Sequence, residues 1–158
     1  MRHATATEWP PAGGSDANRP LVAKGSDQAR RLGTALDGWG LRPARVVTSP
    51  WRRAAETAAL LRGEPAAPLD VLEALAAPGA AAQSAAIAGA VAPTDRVVVV
   101  VGHEPWTSEL AAWWLTGRDD GLRIAFRKAA ALVATGVPGP GGLALEAFVP
   151  ARLLRTLR

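Results

Sequence analysis

Apolar residues recur at helical spacing from Ser26 onward: Ala29, Leu32, Leu36 and Trp39 fall on one face, and Asp27 suits the positive first turn. The spacing predicts an amphipathic helix that stops at Gly38 or Gly40. The period then changes. Residues 45–49 (RVVTS) form a β-branched run into Ser49-Pro50, which predicts a strand, a sharp turn with Ser49 as N-cap, and a helix to about Arg62, closed by Gly63 and Pro65. Residues 64–82 are punctuated by Pro, Ala and Gly with one short strand over 69–72, and the alanine-rich stretch 81–91 reads as another helix. Residues 96–101 are an almost unbroken valine run, the pattern of a strand buried on both faces, so it should lie centrally in a parallel sheet. Gly102-His103-Glu104-Pro105 repeats the turn and proline-started helix, with Trp106, Leu110, Trp113 and Trp114 on one face before Gly117. Residues 122–126, 129–135 and 143–149 predict further strands, the last two separated by a Gly/Pro turn at 138–142, and Pro150 starts a terminal helix. Residues 8–20 (EWPPAGGSDANRP) favour turns and read as a loop.

Two strand–turn–helix units define an α/β class: a mostly parallel sheet flanked by helices on both faces. The 158 residues, 49% of them apolar, suit a single domain over 1–158 with one core, and no internal repeat is evident. A net charge of +4 suits an anionic ligand or a solvated arginine-rich surface and does not choose between them. The chain has no cysteine, which removes disulfides and thiolate chemistry and makes the cytoplasm the expected compartment. Its longest apolar run falls far short of the roughly 20 residues that span a bilayer, and the first residues lack the apolar core of a secretory signal.

The candidate chemistry gathers where strands end. In open α/β sheets ligands bind at the C-terminal strand edge, where helices begin and free N–H groups favour a phosphate dianion. Ser49-Pro50 and Gly102-His103 both fall at such junctions, so one crevice can receive Arg52 or Arg53 and His103, joined by Arg2 and His3. His3 and His103 are the two histidines of the chain. A neutral imidazole can attack phosphorus, whereas a second one can steady charge on the equatorial oxygens.

Arg2-His3-Ala4 resembles the Arg-His-Gly/Ala signature of the histidine phosphatase superfamily. Residues 49–57 (SPWRRAAET) resemble that family's Ser-Pro-x-x-Arg-Ala-x-Gln/Glu-Thr segment, and Gly102-His103-Glu104-Pro105 its later Gly-His-x-Pro, in the same order. Arg19-Pro20-Leu21, Lys24-Gly25 and Gln28-Ala29 are similar to the segment before its first helix. The Trp-Pro-Pro and Ser-Asp insert, Phe126-Arg127-Lys128 and the ending over 150–154 are similar to the SixA-type phosphohistidine phosphatases.

The resemblance implies a phosphoglycerate-mutase-like fold and a metal-independent phosphatase without cofactor. It makes His3 the phosphoacceptor, Arg2 and Arg53 the guanidinium clamps, His103 the second imidazole, and Arg52 a helix neighbour. Arg2, Arg53 and His103 would bind the substrate phosphate. The implied substrate is phosphohistidine in a partner protein. A small phosphoester such as a sugar or nucleotide phosphate is the alternative, and a phosphate-binding relative without turnover the third reading. Glu73 holds the chain position of a general acid in relatives with small substrates, but its surroundings (VLEALAAPG) match that motif poorly. Glu104 and Lys128 are secondary candidates for contact with substrate. The family places an apolar strand before its Arg-His where only Met1 stands here, so the first strand is expected to be largely missing. Nucleic-acid binding is not expected, since no aromatic and basic reader motif or repeated Lys/Arg run occurs. Metal is not expected either, because neither imidazole has a carboxylate or histidine at i+3 or i+4.

Overall fold

The computed structural model describes residues 1–155. Three parallel strands form its centre: β1 (Arg45–Thr48) lies between β2 (Leu69–Val71) and β3 (Val98–Val101), with Val46 opposite Leu69 on one side and Val99 on the other. Successive side chains of a strand point to opposite faces, and Val46 and Val47, both fully buried, show what covers each. Val46 packs with Leu32 and Leu36 of α1 (Ala23–Gly38) and Ala54 and Ala58 of α2 (Arg52–Ala59). Val47 packs with Ile87 of α3 (Ala80–Ala90) and Leu110 of α4 (Trp106–Thr116). Helices therefore flank both faces of an α/β fold.

A second sheet is the antiparallel hairpin of β4 (Ala131–Gly136) and β5 (Leu143–Val149), which carries a register shift between Val133 and Ala134. The N-terminal residues link the two sheets. Arg2 forms a parallel bridge with Gly102, His3 N–H donates to Gly102 O at 3.0 Å, and Arg2 N–H donates to Ala130 O at 3.2 Å. His3 is thereby fixed by backbone bonds on both sides.

The structure corrects several expectations. The valine strand is not central: β3 is an edge of its sheet, and Val98, Val99 and Val100 are only partly buried, whereas Val101 is fully so. Residues 122–126 form no strand, because side chains take their carbonyls: Ser108 Oγ donates to Ile124 O and Arg2 Nη1 to Phe126 O. The second helix starts at Arg52 with Trp51 as its N-cap residue and ends at Ala59, three residues before the expected stop. Ser49 is not its cap. The loop over 8–20 contains a 3-10 turn at Asp16–Asn18, and α1 starts at Ala23, before Ser26. After Pro150 a 3-10 turn at Leu153–Arg155 seats Leu154 in the core, and the rest of the expected terminal helix lies outside the described residues.

Helix α1 crosses close under the segment that follows His3. A β-carbon on Gly25 would fall inside the van der Waals envelope of Thr5 O and crowd the Thr5 backbone further. Gly25→Ala is expected to lower stability by about 1–3 kcal/mol, the usual cost of overpacking, read as a lower urea midpoint at unchanged slope.

Among the described residues no helix is long and apolar enough to cross a membrane.

Candidate active site

The parallel arrangement of β1 and β3 puts Ser49 and Gly102-His103 at the same edge, and the bridge through Arg2 brings His3 to them. His3, Arg53 and His103 are all nearly fully buried. Arg53, the second residue of α2, donates through Nε to His3 Nε2 at 3.2 Å. The other ring nitrogen of His3, Nδ1, lies 2.7 Å from Ala4 O and must donate to it, since a carbonyl can only accept. Both contacts select the same tautomer: a proton on Nδ1 and a lone pair on Nε2. Thr57 holds this segment to α2, accepting from Ala4 N–H at 3.0 Å and donating to Arg53 O at 2.6 Å.

The imidazoles of His3 and His103 lie 5.1 Å apart between centroids. His103 Nε2 is 2.8 Å from Ser49 Oγ, and its Nδ1 is buried without a partner among the described residues. Trp51 packs against His103 at 4.6 Å and carries the Arg53 guanidinium 4.5 Å above its ring, while Trp106 meets His103 edge-on at 6.2 Å. Arg2 donates through Nη1 to Phe126 O at 2.9 Å, and its buried Nε has no partner among the described residues.

Burial first, then the charges of Arg53 and Arg2, hold the His3 imidazole down at about 4, against the raising effect of its Ala4 bond. Burial, His3 and the same guanidiniums hold His103 at about 3. Both rings are neutral at neutral pH, the form in which an imidazole is a nucleophile. Burial likewise pushes the Arg53 guanidinium down, opposed chiefly by Asp16. Lys128 is also lowered, by burial and then by Arg2, Arg19 and Arg53, which places a fourth cation at the mouth.

These depressed values make stability depend on pH. In the unfolded chain each histidine binds its proton near pH 6.5, whereas in the folded chain it stays neutral until about pH 4 or 3. Between those values the unfolded state holds more protons, so stability rises with pH there. The contribution is complete above pH 6.5 and is lost as pH falls toward 4. Urea midpoints should drop across pH 6.5 to 4, and His103→Asn should flatten that drop.

All four residues expected at the site, Arg2, His3, Arg53 and His103, are thus brought together. Arg52 points away, paired at 2.7 Å with Glu56, whose other oxygen accepts from Leu21 N–H. Glu73, itself exposed, opens a 3-10 turn at Glu73–Ala76 and makes no hydrogen bond or ion pair with these residues. Glu104 is partly buried, accepts from Ser108 Oγ, and is raised by burial in spite of nearby Arg2.

Two participants escaped the sequence reading. Asp16 accepts from Arg53 twice, through its backbone O at 2.7 Å and Oδ2 at 2.9 Å, and its Oδ1 lies 2.9 Å from Arg19 Nε. The latter is an ion pair without hydrogen-bond alignment. Ser49 was read as a cap, yet its hydroxyl serves His103. The Ser-Asp dipeptide of the loop was the only signal for Asp16, and a loop reading attaches no chemistry to it.

Two imidazoles and two guanidiniums gathered at the strand ends of an α/β chain have the chemistry that suits a compact oxyanion. The family model of the histidine phosphatase superfamily (branch 1) matches residues 1–77. No curated protein matches at a significant level. Among solved structures, the protein histidine phosphatase SixA complexed with tungstate is 25% identical at a TM-score of 0.79, over 98% of this chain and 96% of that one. The proposed phosphohistidine phosphatase SixA of Nakamurella multipartitia is 26% identical at 0.75, over 94% and 91%. A phosphoserine phosphatase of Entamoeba histolytica in complex with 3-phosphoglyceric acid shares the fold at 0.70 with 14% identity, over 97% and 96%. Residues 1–77 of the chain are similar to the histidine phosphatase superfamily, and SixA proteins are among its most similar solved structures.

Proposed function

We propose that this protein, a single domain over 1–158, is a metal-independent phosphatase that works through a phosphohistidine on His3. The observation that carries the reading is the buried His3 imidazole, with Nδ1 tied to Ala4 O and the Nε2 lone pair held beside Arg53. In the first step Nε2 attacks phosphorus, the P–N bond forms, and the bond to the leaving group breaks with its electron pair. Arg53 turns from His3 and Asp16 toward the phosphoryl oxygens, and the donors left unpaired, Arg2 Nε and His103 Nδ1, add to the charge that phosphoryl transfer needs. Ser49 Oγ–H donating to His103 Nε2 keeps the proton on Nδ1, where it can be offered to phosphate. In the second step water attacks phosphorus of phospho-His3, the P–O bond forms as the P–N bond breaks with its electron pair returning to Nε2, the water's proton passes to solvent, and inorganic phosphate leaves with neutral His3 restored.

The substrate we propose is phosphohistidine on a partner protein, met in the cytoplasm. A phosphoramidate's leaving imidazole needs less protonation than an alkoxide, and Glu73 stands exposed with no bond to the site residues. Trp51 and Trp106 beside His103 offer a planar wall suited to an aromatic leaving group. A small phosphoester remains the second reading, favoured by Glu104, whose raised carboxyl near Arg2 can hold a proton. Trapping tests the proposal: a labelled phosphodonor should give an acid-labile, base-stable phosphoenzyme in the wild type. No label on His3 during turnover would defeat it.

A further inference from the structure

Residues 7–20 form a strap beside the crevice, and no residue of it is buried. Its neck is closed by the bridge of Ala6 with Leu21 and by Thr7 N–H donating to Pro20 O at 2.9 Å. Beyond the neck, the hydrogen bonds that tie the strap to the rest of the described residues are the two from Arg53 to Asp16. The strap is moored on the phosphate clamp itself.

Trp9 is the one large apolar side chain of this strap, and it is 76% exposed. Its backbone is nevertheless fixed. Thr7 Oγ donates to Trp9 O at 2.8 Å, Arg19 Nη1 donates to Glu8 O at 3.0 Å, and the following Pro10 restricts the conformations open to Trp9. A tryptophan held out to water on a fixed backbone loses little freedom when a partner covers it, and tryptophan is a favoured anchor at protein interfaces.

The neighbouring turn is cationic. Arg127 and Lys128 are exposed, and their side chains make no hydrogen bond or ion pair among the described residues. That turn is locked to the catalytic pair: Ala129 N–H donates to His3 O at 3.1 Å, while Phe126 O and Ala130 O accept from Arg2. Lys128 feels the charges of Arg2 and Arg53 in the crevice and of Arg19 and Glu8 in the strap, so turn and strap border one mouth. A single phosphoryl group has no apolar surface to offer an indole. A ligand that uses the whole rim must continue beyond its phosphate, with apolar surface for Trp9 and negative charge for the turn.

We propose that the strap and the Arg127-Lys128 turn form the docking surface for a protein that carries phosphohistidine on an acidic face. Trp9 packs on an apolar side chain beside the phosphohistidine, and Arg127 and Lys128 pair with carboxylates around it. The mooring of Asp16 on Arg53 keeps this anchor in a fixed place relative to the clamp. The inference rests on the phosphatase reading and adds to it what the partner's surface must be.

The test gives the full protein three substrates: free phosphohistidine, the peptide Leu-Glu-Glu-Leu-His-Glu-Leu-Glu-amide phosphorylated on its histidine, and the same peptide with lysine for every glutamate. The kcat/KM for the acidic peptide should exceed that for either of the others by about tenfold. Trp9→Ala should cut the acidic peptide's advantage over free phosphohistidine by about tenfold, chiefly through KM, and Trp9→Phe should restore most of it. Arg127→Gln should narrow the gap between the acidic and the lysine peptide. Equal kcat/KM for all three substrates, a Trp9→Ala loss shared equally by peptide and free phosphohistidine, or a gap that Arg127→Gln leaves untouched would overturn the docking surface while the phosphatase stands. A dimer seen by sedimentation and lost in Trp9→Ala would overturn it too, since it gives Trp9 to a second copy. A wild type that hydrolyses none of the three ends the phosphatase reading, and this proposal with it.

Discussion

His3→Ala is expected to abolish turnover, lowering kcat by on the order of 10⁴ or more, the scale on which loss of a covalent nucleophile is felt. Phosphate binding should survive. The cations that hold the anion are Arg2 and Arg53, and each has its own support: Arg2 on Phe126 O, Arg53 on both faces of Asp16. The substitution costs only the ring's bonds to Ala4 O and Arg53, while the backbone bond of residue 3 to Gly102 O remains. A folded variant that binds vanadate like the wild type but neither hydrolyses substrate nor takes label would assign the chemistry to Nε2. If the wild type also binds phosphate without turnover, the chain is a binding module. If His3→Ala keeps activity, another group is the nucleophile and the scheme fails.

Much of the site could be read from the sequence because its residues sit in local frames that fix them. Arg53 is one step inside a helix that begins just after a strand, and His103 directly follows another, so strand order alone delivers both to one edge. Asp16 was not legible. Its link to Arg53 spans 37 positions and depends on how a loop with no periodicity folds back. Ser49 was misassigned for a related reason: a serine before a helix can cap it or bond elsewhere, and the competing partner, His103, lies 54 positions away.

The valine strand shows the opposite failure. Residues 96–101 were read as buried because their own side chains say so, and locally that is sound. Burial is completed by neighbours, however, and on the side of β3 away from β1 the pairing found among the described residues comes from Met1 to His3 at its upper end. Residues 122–126 failed likewise: their pattern suits a strand, but Ser108 and Arg2 claim the carbonyls a ladder would use. Periodicity reports what a segment prefers, while pairing depends on which partners reach it first.

Arg53→Ala is the second large effect to expect: a fall of about 10² to 10³ in kcat, the cost of removing one preorganised donor from a charged transition state, with KM raised as well because Arg53 is one of the two cations that hold the anion. Arg53→Lys should recover little, because a point charge cannot reproduce a fork that serves His3 and Asp16 at once. A structural role would also lower activity, so a second readout is needed. Arg53 is one of the charges that depress His3. Burial, the largest cause, and Arg2 stay in place, but without Arg53 the imidazole still moves up from about 4, and the acid limb of the kcat/KM profile moves up in pH. Stability should change little, since the guanidinium's own burial is unfavourable and its partner Asp16 is 59% exposed. A variant with lost activity, an unmoved acid limb and a collapsed urea midpoint would make Arg53 a scaffold residue and remove the clamp from the mechanism.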